Sequence, residues 1–145
     1  MVKTTRTLNP LPFGDLEPHR FEDMVRQLAY DFRDWISLEA VGRAGQDKGI
    51  DIRGVEIEEI SPRELKKAEN HKKITPKYKE KLWIIQCKRE KEIGPKKVAQ
   101  IVEESIAQNK NIYGFIIVAA ANFSEKSRQV FREKCRSKNL GKFYL

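Results

Sequence analysis

The chain has 145 residues, 39% of them hydrophobic, which fits one domain with a single core. Its 29 Lys+Arg against 21 Asp+Glu give a net charge of +8, a balance that suits a polyanion, nucleic acid first. No apolar run approaches the roughly 18–20 residues of a membrane span, the N-terminus lacks a signal-peptide core, and Cys87 and Cys135 have neither metal-ligand spacing nor a disulfide framework. A cytoplasmic protein with no membrane contact is expected.

Residues 1–17, with Pro10, Pro12 and Gly14, read as an irregular arm. "PHRFEDMVRQLAYDF" then predicts a helix. Phe21, Met24, Val25, Leu28 and Phe32 follow the helical spacing, and Pro18 sits near the start, where proline is tolerated. Glu22 falls on the border of that apolar stripe. A strand at about 35–42, a turn through "GRAGQDKG" and a strand at about 49–57 form a hairpin. Residues 61–81 carry eight Lys/Arg and three Asp/Glu, a basic insertion of net +5 within about 58–81. "SPRELKKAENH" predicts a short helix in it, with Ser61 as N-cap, Pro62 at the first position and Glu64 closing a capping box.

A strand follows at about 82–89. "GPKKVAQIVEESIAQNK" is then a helix with Val98, Ile101, Val102 and Ile106 on one stripe, and "IYGFIIVAAANF" suits a central strand covered on both faces. "SEKSRQVFREKCRSKN" is the last helix, with Ser124 as cap, and "GKFYL" begins a further strand. Strand–helix–strand–helix–strand favours parallel crossovers at the C-terminal end, behind an antiparallel hairpin. The expected class is α/β, a mixed central sheet flanked by helices.

Strand alternation groups the candidate chemistry. In "WIIQCK", Trp83, Ile85 and Cys87 share one face, while Ile84, Gln86 and Lys88 share the other; Asp51 and Arg53 oppose Ile50 and Ile52. With the apolar faces in the core, Asp51, Gln86 and Lys88 converge on the opposite face and Glu22 arrives from the first helix. Hard cations such as Mg²⁺ take oxygen ligands and keep several waters. Asp51 can supply a carboxylate, Gln86 an amide oxygen and Cys87 its main-chain carbonyl, with Lys88 beside the metal to hold water or meet charge on a phosphoryl oxygen. Each has a plainer reading: Asp51 as a turn carboxylate pairing with Arg53, Lys88 as a snorkelling edge residue, Glu22 as a first-turn acid, Asp47 as turn chemistry. His19 and His71 read as surface residues and Cys87 as a small core residue.

Phe21-Glu22, "DKGID" at 47–51 and "QCK" at 86–88, with "GFIIVAAANFSEKSRQ" after the central helix, resemble the PD-(D/E)XK nuclease superfamily and, within it, the Mrr-like restriction endonuclease domains. The resemblance covers residues 18–145. It implies an αβββαβ restriction-endonuclease-like core and Mg²⁺-dependent cleavage of double-stranded DNA, with Mn²⁺ able to substitute. It implies Asp51 as principal metal ligand, Gln86 in place of the commoner acid, Lys88 as catalytic lysine and Glu22 assisting. Two departures stand out. The insertion is long for the family's tight strand connection, and Gln86 removes a negative charge from the metal site. An inactive nuclease-fold module for binding or assembly, and a Holliday-junction resolvase acting as a dimer, are the alternatives. Arg43, Lys48, Lys66, Lys67, Lys72, Lys73 and Arg89 are expected to touch DNA, with the insertion flanking the cleft and the net +5 stretch 122–142 showing its charge to solvent. Mrr-like domains are joined to DNA-reading domains or P-loop ATPases of antiviral defence, so the resemblance implies the N-terminal effector domain of a longer protein, able to form a homo-oligomer.

Overall fold

The structure is a computed structural model that describes residues 11–41, 50–70 and 78–145, the side chains of residues 68 and 69 aside. After a 3-10 turn at Phe13–Asp15, the elements run α1 (Pro18–Ala29), β1 (Trp35–Ala40), β2 (Ile52–Glu59), α2 (Pro62–Asn70), β3 (Tyr78–Lys88), α3 (Pro95–Ala107), β4 (Ile112–Ala119), α4 (Glu125–Ser137) and β5 (Lys142–Tyr144). This is the expected α/β class. The five strands stand in chain order, β1-β2-β3-β4-β5. β1, β2 and β3 pair antiparallel, and β3, β4 and β5 pair parallel. No helix of the described residues is long and apolar enough to cross a membrane.

Both faces of the sheet are covered. α3 and α4 pack against each other and bury Val98, Ile101, Val102, Phe131 and Cys135 with Ile84, Phe115 and Ile117. α1 covers the other face, where Phe21 and Val25 meet Ile52, Trp83, Ile85 and Ile116. The alternation of β3 therefore does not divide a core face from an open one. Trp83 and Ile85 go to α1, and Ile84 and Gln86 go beneath α3. Gly114 lies opposite Trp83 in the β3–β4 register, and a Cβ there would come within 2.1 Å of the indole. Only glycine lets that ring lie across the strand.

Three local expectations meet the structure directly. Ser61 and Glu64 close the capping box: the Glu64 carboxylate accepts the Ser61 N–H at 3.2 Å, and the Ser61 Oγ accepts the Glu64 N–H at 3.4 Å. Ser124 Oγ accepts the Ser127 N–H at 3.1 Å and starts α4. The α1 stripe is buried at Phe21 and Val25, whereas Leu28 is 73% exposed and Phe32, 45% exposed, sets its ring edge-on against Trp83 and Tyr144. α1 ends at Ala29, so Phe32 reaches Trp83 of β3 and Tyr144 of β5 from the turn that follows the helix.

The hairpin register corrects the place of the insertion. Ile52 pairs with Ile85 at one end of the β2–β3 ladder and Glu59 with Tyr78 at the other. Seven residue steps at about 3.3 Å each put α2 roughly 23 Å along the strands from the end carrying Asp51 and Lys88. Strand direction requires this, because Asp51 precedes β2 and Lys88 closes β3. Lys66 and Lys67 on α2 thus stand at the far end of the hairpin instead of flanking the cleft. Lys72 and Lys73, like Arg43, Lys48, Asp47 and His71, lie outside the described residues. Nor are the cations of α4 all turned to solvent: Lys134 and Lys138 both pair with Glu103 of α3, at 2.8 and 3.2 Å.

Candidate active site

Parallel strands β3 and β4 end side by side, and the C-terminal ends of such strands are where open α/β sheets place their sites. Asp51 arrives from the antiparallel neighbour. Its main-chain carbonyl accepts the Val41 N–H at 2.8 Å, and its carboxylate accepts the Cys87 N–H at 2.7 Å. The carboxylate is thereby pinned between the ends of β1 and β3. Across β3, the Lys88 carbonyl accepts the Ala120 N–H at 2.9 Å, which ties the end of β4 to the same point.

Gln86 is 5% exposed. Its Nε2 donates to Ser105 Oγ on α3 at 3.2 Å, which leaves Oε1 as the acceptor end of the amide. Ser105 is itself 2% exposed, and Asn109 Nδ2 donates to its carbonyl at 2.8 Å. Asp51, Gln86 and Lys88 line a cavity of about 160 Å³ with Ile101, Glu104, Ser105 and Gln108. Glu22 lines an adjoining cavity of about 500 Å³ with Cys87, Lys88 and Arg89. Lys88 is common to both. The structure thus gathers Asp51, Gln86 and Lys88 in one space and sets Glu22 on the far side of Lys88.

The charges around Cys87 report the same cluster. Burial raises its thiol far above the ordinary range; the negative charges of Asp51 and Glu22 push the same way and Lys88 pushes back. Cys87 stays a neutral thiol, which excludes it as a nucleophile at ordinary pH. Glu22 also meets His19 Nδ1 at 3.2 Å, so His19, though 54% exposed at its side chain, has a partner one turn along α1. Arg89 Nη1 donates to the Leu16 carbonyl at 2.7 Å and holds the segment before α1 against the end of β3.

Among the described residues no three His, Cys, Asp or Glu side chains form a ready metal cluster. The groups at hand are oxygen donors: one carboxylate fixed by an amide, one buried amide oxygen and a second carboxylate across Lys88. That set fits a hard divalent cation that retains several waters, and it lacks the sulfur and nitrogen ligands that zinc prefers.

A family model, Mrr_cat, described as a restriction endonuclease, matches residues 13–138. The chain belongs to this restriction endonuclease family. Nothing matches among curated proteins or among solved structures. In the restriction endonuclease domain the candidate site is assembled from three elements, the approach to β2, the end of β3 and the C-terminal half of α3. The motifs "DKGID" and "QCK" mark the first two. The α3 contribution, Ser105 with Glu104 and Gln108, has no motif. Its one signal is positional: Ser105 falls four residues after Ile101, on the apolar stripe of α3, where a small polar residue needs a buried partner.

Proposed function

We propose that this restriction endonuclease domain is a Mg²⁺-dependent DNA endonuclease with a PD-(D/E)XK-type site, serving as the effector of a restriction or antiviral defence protein. The observation that carries the reading is the shared cavity of Asp51, Gln86 and Lys88. Asp51 and Gln86, the Cys87 carbonyl and Glu22 are the residues that would hold the ion. When bound, it would polarise a phosphoryl oxygen and lower the pKa of a coordinated water.

The chain's own groups do the rest. The Cys87 N–H fixes one oxygen of the Asp51 carboxylate and thereby its orientation. Ser105 turns the oxygen of Gln86 away from α3. Lys88, between the two cavities, can hold the attacking water on one side and meet the charge that builds on phosphorus-bound oxygens. A water oxygen, giving up a proton to solvent or a neighbouring base, bonds to phosphorus as the ester P–O bond breaks, and the leaving oxygen takes a proton from solvent or a neighbouring acid. The net charge of +8 supplies long-range attraction to the duplex.

Plasmid nicking in Mg²⁺ or Mn²⁺, beside EDTA and a Lys88→Ala control, tests the reading. Metal-dependent nicking lost in the Lys88→Ala protein is expected. DNA binding with no nicking in either metal would favour an inactive, DNA-holding module instead.

A further inference from the structure

A third cavity, of about 450 Å³, lies next to the catalytic strand and has no part in the hydrolysis described above. It is lined by Phe13, Lys91, the run Ala119–Ala121 and Asn122, among others. Two features join it to the site. The Ala120 N–H is bonded to the Lys88 carbonyl. Gly14 lines both this cavity and the one holding Glu22 and Lys88, and a Cβ on Gly14 would lie 3.0 Å from the Arg89 carbonyl. The volume falls in the range of small-ligand sites, about 300–1,000 Å³, and it exists because three consecutive side chains at the end of β4 are single methyl groups.

The lining is selective in its chemistry. Phe13 is 39% exposed, and no other ring of the described residues stacks on it. A partly exposed aromatic ring in the lining of a cavity beside the candidate site can serve as a stacking platform, and base–aromatic stacking tolerates any base. Asn122 offers an amide donor and acceptor to a base edge, and Lys91 offers a cation to a phosphate. We infer that this cavity receives a nucleobase unstacked from the strand beside the phosphate bound at Lys88. The inference rests on the endonuclease reading and extends it to a substrate class. A base inside an intact duplex must leave the stack to enter, and that costs least where the base is mismatched, frayed or single-stranded. The favoured DNA therefore carries an unpaired or readily unpaired nucleotide at the cut.

The test measures binding in EDTA, so cleavage plays no part. The full chain and its Phe13→Ala, Phe13→Trp and Asn122→Ala variants are titrated by fluorescence anisotropy against single-stranded oligodeoxyadenylate and against a strand of equal length built from abasic residues. Phe13→Ala is expected to weaken binding to oligodeoxyadenylate by about five- to tenfold, the low end for one base–aromatic stack. It should leave the abasic strand unchanged, with Phe13→Trp restoring affinity and Asn122→Ala causing a smaller loss on the base-bearing strand alone. Equal losses on both strands, or none on either, would overturn the base pocket while the endonuclease reading stands. Equal losses with a lowered Tm would assign the cavity to packing of the protein's own chain and overturn it likewise. If the unaltered protein bound neither strand but bound a duplex of the same length, the base pocket would fall and the endonuclease reading stand; binding to none of the three would overturn both.

Discussion

Ser105→Ala separates packing from metal binding at Gln86. The serine hydroxyl accepts the Gln86 Nε2 at 3.2 Å, with both residues at least nine-tenths buried. Removing it strands a buried N–H, which costs about 1–3 kcal/mol. For a domain of this length that lowers Tm by about 3–12 °C. Asn109 bonds to the main-chain carbonyl of residue 105 and is untouched by the change. The second effect is on the ion. With its amide no longer held, Gln86 can turn either end toward Asp51, and losing a partner that orients a metal ligand costs about 10- to 100-fold in affinity. Urea denaturation reads the first effect and Mn²⁺ calorimetry the second. Ser105→Thr, which keeps the hydroxyl, should recover metal affinity even if its extra methyl costs stability. A Ser105→Ala protein that is less stable yet binds Mn²⁺ as tightly as the unaltered chain would refute Gln86 as a ligand held in place by Ser105.

Lys88→Ala should abolish nicking while DNA affinity and Tm stay close to those of the unaltered chain, because one of 29 cationic residues adds little to a phosphate affinity spread over many contacts. Asp51→Asn should weaken Mn²⁺ binding and cleavage together; equal calorimetric affinity would place the ion elsewhere. Replacing Lys66 and Lys67 with Ser should lower DNA affinity less than replacing Lys91 alone, which lines the cavity beside the end of β3, in titrations over a range of salt, since α2 stands at the far end of the hairpin. Glu56 is 6% exposed; burial raises its carboxyl pKa, but hydrogen bonds from Arg33 and Trp83 and the charges of Arg33 and Lys81 outweigh this and hold it below its ordinary 4.5. A depressed folded-state pKa contributes stability above the unfolded value and loses it as pH falls through the folded one. Urea midpoints should therefore drop on acidification below about pH 4.5, and Glu56→Gln, less stable at neutral pH, should show a shallower drop.

Much of this architecture is legible in the order of residues. Helical spacing over 18–32 specifies α1 and its two buried contacts, Phe21 and Val25, and Ser61-Pro62 with Glu64 specifies a helix start to the residue. Gln86 and Lys88 are identifiable because the apolar run Trp-Ile-Ile within β3 has no packing reason to end Gln-Cys-Lys, and Asp51 because it alternates with Ile50 and Ile52. What the order of residues conceals is depth and extent. Leu28 continues the apolar period of α1 yet is 73% exposed, because periodicity carries no information on how far the covered surface extends. Gln86 looks like a residue of an open polar face and lies beneath α3, because the covering helix begins only after the strand has ended. Ser105 is nineteen residues away and belongs to no motif. The far placement of α2 follows from strand direction, whereas closeness in sequence to the strands carrying Asp51 and Lys88 suggests the reverse.

That separation bears on how the domain tolerates change. The β2–β3 ladder is registered residue by residue from Glu59–Tyr78 to Ile52–Ile85, so its far end can be rebuilt without moving the near one. The entropy of closing a connection grows only slowly with its length. Residues 60–77 are therefore a natural cassette: a reporter, an affinity handle or a cross-linking cysteine placed there should leave the Asp51–Cys87 bond and the cavities around Lys88 undisturbed. The same end is where a lineage could try new surfaces while the end carrying Asp51 and Lys88 stayed constant.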